Sequence, residues 1–313
     1  MRFIIHDYDR EAPFSSFLPG LAGVKGIPMW SFYTNRGQAL CSFGIHHEGN
    51  AMMEFNSANT GYENTQIRGF RTFLRINGQF CEPFFRVEDG VTRRMEIERN
   101  VLTITEDRQG LTVSVRYFIL PNESIGALVR MVKITNCSNE PIDLELLDGM
   151  PQIIPYGIQN GQYKEMSNLF KSWADIINIE NNAPIYKMRA SSDDSAEVTE
   201  IRGGYYYLAV SGGELLPVIY DKVPVFDFEQ SMIEPLRFKA GGLASVLRKA
   251  QCFYNKVPCA FAPIRRSLAP GACVELTAYA GYTPSELVLN QKASAFLAAG
   301  YAEHSGIYVG GGA

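Results

Sequence analysis

The chain has 313 residues, enough for one large all-β domain or two ordinary ones, and its 46% hydrophobic content suits a sizeable core. A formal net charge of −4, with no block of Lys and Arg, excludes nucleic acid as a principal partner, because neutralising phosphates takes clustered cations. No run reaches the roughly 20 apolar residues of a membrane span, and the stretch Met1 to Asp7 lacks the apolar core of a secretory signal, so the expectation is a cytoplasmic protein without membrane contact.

In chain order, Pro13, Pro19 and Gly20 interrupt the opening segment. From Val24 to Phe55 the pattern predicts a meander: strands over Met29–Tyr33, Gln38–Ile45 and Ala51–Phe55, with turns at Asn35-Arg36-Gly37 and His46–Asn50. Thr65–Asn77 alternates, Asn77-Gly78 is a hairpin signal, and Gln79–Val87 returns with Pro83 marking an edge. Glu96–Thr105 and Leu111–Leu120 read as a second hairpin, followed by strands over Ala127–Thr135 and Ile142–Leu147.

Lys164–Ile177 breaks the alternation. Met166, Leu169, Phe170, Trp173, Ile176 and Ile177 recur at helical offsets, and Asn181-Asn182-Ala183-Pro184 closes the segment. Strands are predicted again over Ile185–Arg189, Val198–Ile201, Tyr205–Ser211, Pro258–Ser267 and Val274–Tyr282, with a short helix over Leu243–Tyr254. Glu286–Ala299 reads as a helix carrying Leu287, Val288, Ala293, Phe296 and Leu297, and Val309–Ala313 looks like an arbitrary stop. The fold expected is all-β: a large antiparallel sandwich over residues 1–284 with one inserted helix, then a linker helix over 285–313.

Few residues point to chemistry. The six cysteines, at 41, 81, 137, 252, 259 and 273, form no CxxC pair, so free thiols are expected and zinc is not. His46 and His47 are adjacent, and on a strand such neighbours face opposite ways, which argues against a shared metal. Asp193-Asp194 lies in a Ser-rich loop and reads as a solvated turn, and Arg36 as a turn-exposed cation. Asp148 stands before Gly149 at a strand end, as a turn residue or one reaching a neighbouring domain. Flat aromatic faces suit pyranose rings. Of these, Trp30 alternates with Phe32 and reads as core, Trp173 lies on the helix's apolar stripe, at least one of Tyr205 to Tyr207 must be core, and Tyr156 and Tyr163 are freest to meet a ligand.

Three stretches carry a resemblance: Pro28 to Gln38 (Pro-Met-Trp-Ser-Phe-Tyr-Thr-Asn-Arg-Gly-Gln) with Ser42-Phe43-Gly44, then Leu146 to Gly157, then Leu268-Ala269-Pro270-Gly271 with the strand after it. They resemble the N-terminal region of phosphorylases of glycoside hydrolase family 94 (glycosyltransferase family 36-like), most of all the 1,2-β-oligoglucan phosphorylase type. The resemblance implies a galactose mutarotase-like β-supersandwich that precedes a helical linker and an (α/α)6-barrel. In such enzymes the barrel's Asp protonates the glycosidic oxygen of a β-1,2-glucooligosaccharide while inorganic phosphate, the co-substrate, attacks the anomeric carbon, giving α-glucose 1-phosphate. No other cofactor or metal is implied.

No stretch long enough for a barrel is present, so no catalytic residue is assigned and the chain alone is expected to be inactive. Asp148, Tyr156, Tyr163 and Trp173 are the candidates for touching substrate or a domain interface. The leading expectation is a non-catalytic domain that packs on the catalytic barrel, walls its β-glucan cleft and supports a homodimer. A stand-alone carbohydrate-binding module is the alternative. A mutarotase-type enzyme comes third and would need His46, His47 or His304 beside a carboxylate.

Overall fold

The computed structural model describes residues 2–18, 20–47, 49–121, 123–191 and 196–299. His304, Asp193-Asp194 and the Val309–Ala313 stretch lie outside them. The expected all-β sandwich is what the chain forms.

Its largest sheet has ten strands, all antiparallel. Nine run in the order Phe3–His6, Thr92–Ile97, Val101–Arg108, Leu111–Ile119, Ala127–Asn136, Cys273–Thr283, Gly204–Ser211, Ile185–Met188, Ala174–Ile177, and Glu214–Leu215 pairs beside Gly204–Ser211. A second sheet has the order Ala260–Leu268, Ile142–Met150, Arg71–Ile76, Gln79–Cys81. A third is the expected meander: Ile27–Thr34, Leu40–Ile45 and Ala51–Met53, with Ser15–Leu18 and Leu21–Ala22 added beside Ile27–Thr34.

Alternation sets the layers. Val113, Val115, Tyr117, Val132 and Ile134 of the large sheet face Leu144 and Leu146 of the second sheet and Phe43, Ile45 and Met52 of the third, all within one buried cluster. The opposite parity of the large sheet, including Val129, Tyr206 and Leu208, forms a separate cluster with Leu289 and Ala293. On the far side of the second sheet, Phe73, Leu147 and Phe261 meet Phe226, Phe238, Leu243 and Val246.

Five α-helices and a 3-10 turn at Ile179–Asn181 complete the described chain: α1 (Ala58–Arg68), α2 (Asn160–Lys171), α3 (Val223–Phe226), α4 (Leu236–Leu247) and α5 (Glu286–Ala299). α5 matches its expected span, and its Leu289 and Ala293 rest on the large sheet while Leu287 stays 68% exposed. Asn290 Nδ2 donates to Asn178 Oδ1 at 3.0 Å and Lys292 pairs with Glu123 at 2.8 Å, so polar contacts flank the apolar ones.

Several boundaries differ from the sequence reading. α1 replaces the first turn of the strand expected from Thr65. It has no apolar stripe, only Gly61 and Thr65 are buried along it, and a reading based on hydrophobic period had nothing to find. The inserted helix begins earlier and ends at Lys171, and Ala174–Ile177 is an edge strand paired with Ile185–Met188. Ile176 and Ile177 suited either period, and the open sheet edge decided between them. Thr92–Ile97 and Val101–Arg108 are two strands where one was expected, because the chain reverses after Ile97. Beyond Cys81 the expected strand stops, where Pro83 can donate no ladder hydrogen bond. The short helix falls on Leu236–Leu247 and is broken at Gly242.

Candidate functional site

Asp148 is neither a turn residue nor a surface group. Its strand runs on to Met150, and its parity is that of Leu144 and Leu146, so the carboxylate points between the sheets and is fully buried. There it meets Arg130 of the large sheet, with Nε to Oδ2 at 3.0 Å and Nη2 to Oδ1 at 2.7 Å. The Thr72 hydroxyl donates to Asp148 Oδ1 at 2.6 Å, and Gln38 Nε2 donates to Thr72 Oγ1 at 3.0 Å. Arg130 also donates to the Gln38 side-chain oxygen and the Tyr117 hydroxyl, and its guanidinium lies 4.8 Å from the Phe70 ring centroid. Tyr117 donates onward to the Gln38 carbonyl at 2.9 Å. Burial pushes the Tyr117 phenol well above its usual pKa. Asp148 and Thr72 of the second sheet, Arg130 and Tyr117 of the large sheet, and Gln38 from the turn that joins Ile27–Thr34 to Leu40–Ile45 enter this knot, which makes it a structural staple, closed to ligand.

Tyr163 sits on α2, almost buried, and accepts a 2.6 Å hydrogen bond from Gln152 Nε2. Burial pushes its phenol up to about 12. Trp173 follows α2 instead of lying on it; it is 39% exposed and edge-on to Phe170 at 6.1 Å. Tyr156 bridges to Lys187 and packs on Tyr205 and Tyr282, at 5.3 and 4.8 Å between ring centroids. The four candidates therefore do not converge. His46 has φ of +74° and its ring is edge-on to Tyr282 at 5.2 Å. Burial first, and His47 second, lower its pKa. Neither His46 nor His47 forms an ion pair with a carboxylate among the described residues.

Trp30 corrects the reading that made it core. From Ile27 to Tyr33 the buried residues are Met29, Ser31 and Tyr33, so Trp30 and Phe32 share the outward face, and Trp30 is 39% exposed; Thr34, of their parity, is buried and lies 3.3 Å from Thr65 of α1 between hydroxyl oxygens. The alternation was legible, but which parity faced the core was not, since both carried aromatic residues. Trp30 and Phe32 floor a cleft of about 480 Å³ together with Ser15, Thr34, Cys41 and Ser42. Its wall is Phe55, Asn56 and Ser57, then Ala58 and Gly61 of α1, with Asn160 at the start of α2.

Local chemistry holds that wall in place. Phe55 lies edge-on to Phe32 at 5.8 Å. Asn160 Oδ1 accepts the Phe55 N–H at 3.0 Å. Ser42 Oγ donates to the Glu54 carbonyl at 2.8 Å. Gly44, opposite Trp30 in register, leaves the room: a Cβ there would lie 2.7 Å from the Phe55 ring. Burial pushes the Cys41 thiol up to about 11, so the floor is uncharged at neutral pH. Among the described residues, no Asp, Glu, Lys, Arg or His lines the cleft. It presents flat apolar faces beside amide and hydroxyl groups, a surface that suits a pyranose with its C–H face and its ring of hydroxyls.

No three His, Cys, Asp or Glu side chains converge as metal ligands among the described residues. No protein-family model and no curated protein matches the chain. Among solved structures, a polysaccharide lyase is similar at 11% identity and a TM-score of 0.47, over 85% of this chain and 34% of the lyase. The chain thus spans about a third of that structure's length. No helix among the described residues is long and apolar enough to cross a membrane.

Proposed function

We propose that this chain is a non-catalytic, carbohydrate-binding β-sandwich that serves an inverting β-glucan phosphorylase. The observation that carries the binding role is the Trp30 cleft, with its aromatic floor and wall, its amides and hydroxyls, and its lack of charge. The non-catalytic assignment rests on the resemblance, which puts the catalytic Asp in the barrel. The phosphorylase assignment rests on the resemblance of Pro28 to Gln38 and the two later stretches. In this reading phosphorolysis belongs to an (α/α)6-barrel packed against the sandwich.

A stand-alone binding module is the second reading, and α5 favours it: Leu289 and Ala293 cover the helix's own sheet instead of waiting for another domain. Among the side chains described on that helix, Leu287 is the exposed apolar one.

The test is calorimetric titration with β-1,2-glucooligosaccharides, beside an assay of phosphate consumption with the chain alone and with a separately produced barrel. The expected result is binding that Trp30→Ala weakens about tenfold or more, roughly 1.4 kcal/mol, with turnover in the mixture only. Turnover by the chain alone would overturn the non-catalytic assignment. Binding without turnover in the mixture would select the stand-alone module.

A further inference from the structure

The outward face of the third sheet continues past the cleft. Phe17 is the register partner of Phe32 on the neighbouring strand and is 61% exposed. Partners of this kind have Cβ atoms about 4.5–5.5 Å apart and share one face. Phe55, Phe32 and Phe17 therefore form a row that crosses the strands, with Trp30 two residues along from Phe32. Leu21, paired with Pro28, is 71% exposed and borders the same face. A monosaccharide would cover one end of this row. Only a ligand longer than one ring meets all of it.

The charge pattern limits the ligand further. A uronate or sulfated sugar needs Arg or Lys to pair its anion, and an anion placed on aromatic surface without one loses hydration uncompensated. The cleft lining offers no such cation. The ammonium of Lys164 is hydrogen-bonded to the Phe55 carbonyl oxygen and is not among the lining groups. Other grooves in the described structure differ in this respect: one is lined by Arg75, Arg265 and Arg266, another by Arg2, Arg116 and Lys133.

Resting on the carbohydrate reading above, we infer that the Trp30 cleft is a chain-binding track for uncharged polysaccharide, crossing the strands from Phe55 over Phe32 to Phe17. Trp30 stacks one ring, Asn56, Ser57 and Asn160 meet hydroxyls at the walled end, and Phe17 supports the rings that follow. Such a track grips a run of rings along a chain and does not depend on a chain end.

The experiment uses three probes on the full chain: soluble β-1,2-glucan, its disaccharide, and polygalacturonate. Affinities are read by calorimetry for the native chain, Trp30→Ala and Phe17→Ala. Phe17→Ala is expected to fold normally because most of that ring is in solvent, and circular dichroism verifies it. The expected result is glucan bound about tenfold or more tighter than disaccharide, no binding of polygalacturonate, and a loss with Phe17→Ala confined to the long chain. Trp30→Ala should weaken both neutral ligands. Polygalacturonate bound as tightly as glucan would overturn the uncharged-ligand inference while leaving carbohydrate binding intact. An unchanged glucan affinity in Phe17→Ala would overturn the track. If none of the three probes binds, the carbohydrate reading itself fails.

Discussion

The knot around Asp148 and the cleft around Trp30 are made in the same way, from strand side chains of one parity joined to residues of neighbouring segments, yet one is sealed and the other faces water. At Asp148 two sheets and a turn of the third meet, and both oxygens of the carboxylate have partners. At Trp30 a single sheet carries a helix to one side of its outer face, and aromatic surface remains uncovered. A polar residue in an apolar run signals function only if its neighbours leave it open; here they close around it. An aromatic residue signals core only if something covers it, and nothing among the described residues covers Trp30 fully.

The largest effect expected is at the knot. Asp148→Ala strands Arg130, which is fully buried, and should cost about 3–5 kcal/mol in denaturant unfolding. The double variant Arg130→Met with Asp148→Leu should lose much less, since it removes both charges together. A cost below about 1 kcal/mol for Asp148→Ala would show that the ion pair does not join the sheets.

Gly44→Ala should come next. Its Cβ would meet the Phe55 ring at 2.7 Å and the Asn50 carbonyl oxygen at 2.6 Å. Overpacking of that kind costs about 1–3 kcal/mol, and the displaced wall should take saccharide affinity with it. Retained affinity would mean that Phe55 is not part of the site. Trp30→Ala reverses the balance: a stability loss under about 1 kcal/mol, as for an exposed position, with the binding loss described above.

The smallest effect is a rate. Exposed Cys137 and Cys273 should alkylate readily at pH about 8.5. Cys41, pushed up to about 11 by burial, stays protonated there and should lag until the pH nears that value. Thiolate is the reactive form, so raising the pH speeds Cys41 labelling, and saccharide in the cleft should slow it again. Labelling of Cys41 as fast as Cys137 at pH about 8.5 would contradict a buried cleft floor.

Strand existence was legible because period-two alternation is local. Leu111–Ile119 and Ala127–Asn136 lie close to their expected bounds, and Asn77-Gly78 makes its hairpin with φ of +50° and +83°. α5 was equally plain. α1 was not, because its polar face is packed through Gly61 and Thr65, residues that carry no hydrophobic signal. Its visible cues were Ser57 before the first turn and Gly69 after the last. The three tyrosines Tyr205, Tyr206 and Tyr207 are all buried because their sheet is covered on both faces, which alternation alone does not report.

The sequence by itself determined the all-β class, the meander and most of its turns, since these follow from backbone propensity and from the spacing of side chains along one strand. Only the tertiary structure decided which parity of each strand became interior, since that depends on which sheet or helix lies opposite. That choice sealed Asp148 against Arg130, set Trp30 beside Phe55, and brought Asn160 to the wall from a segment 105 residues further along the chain.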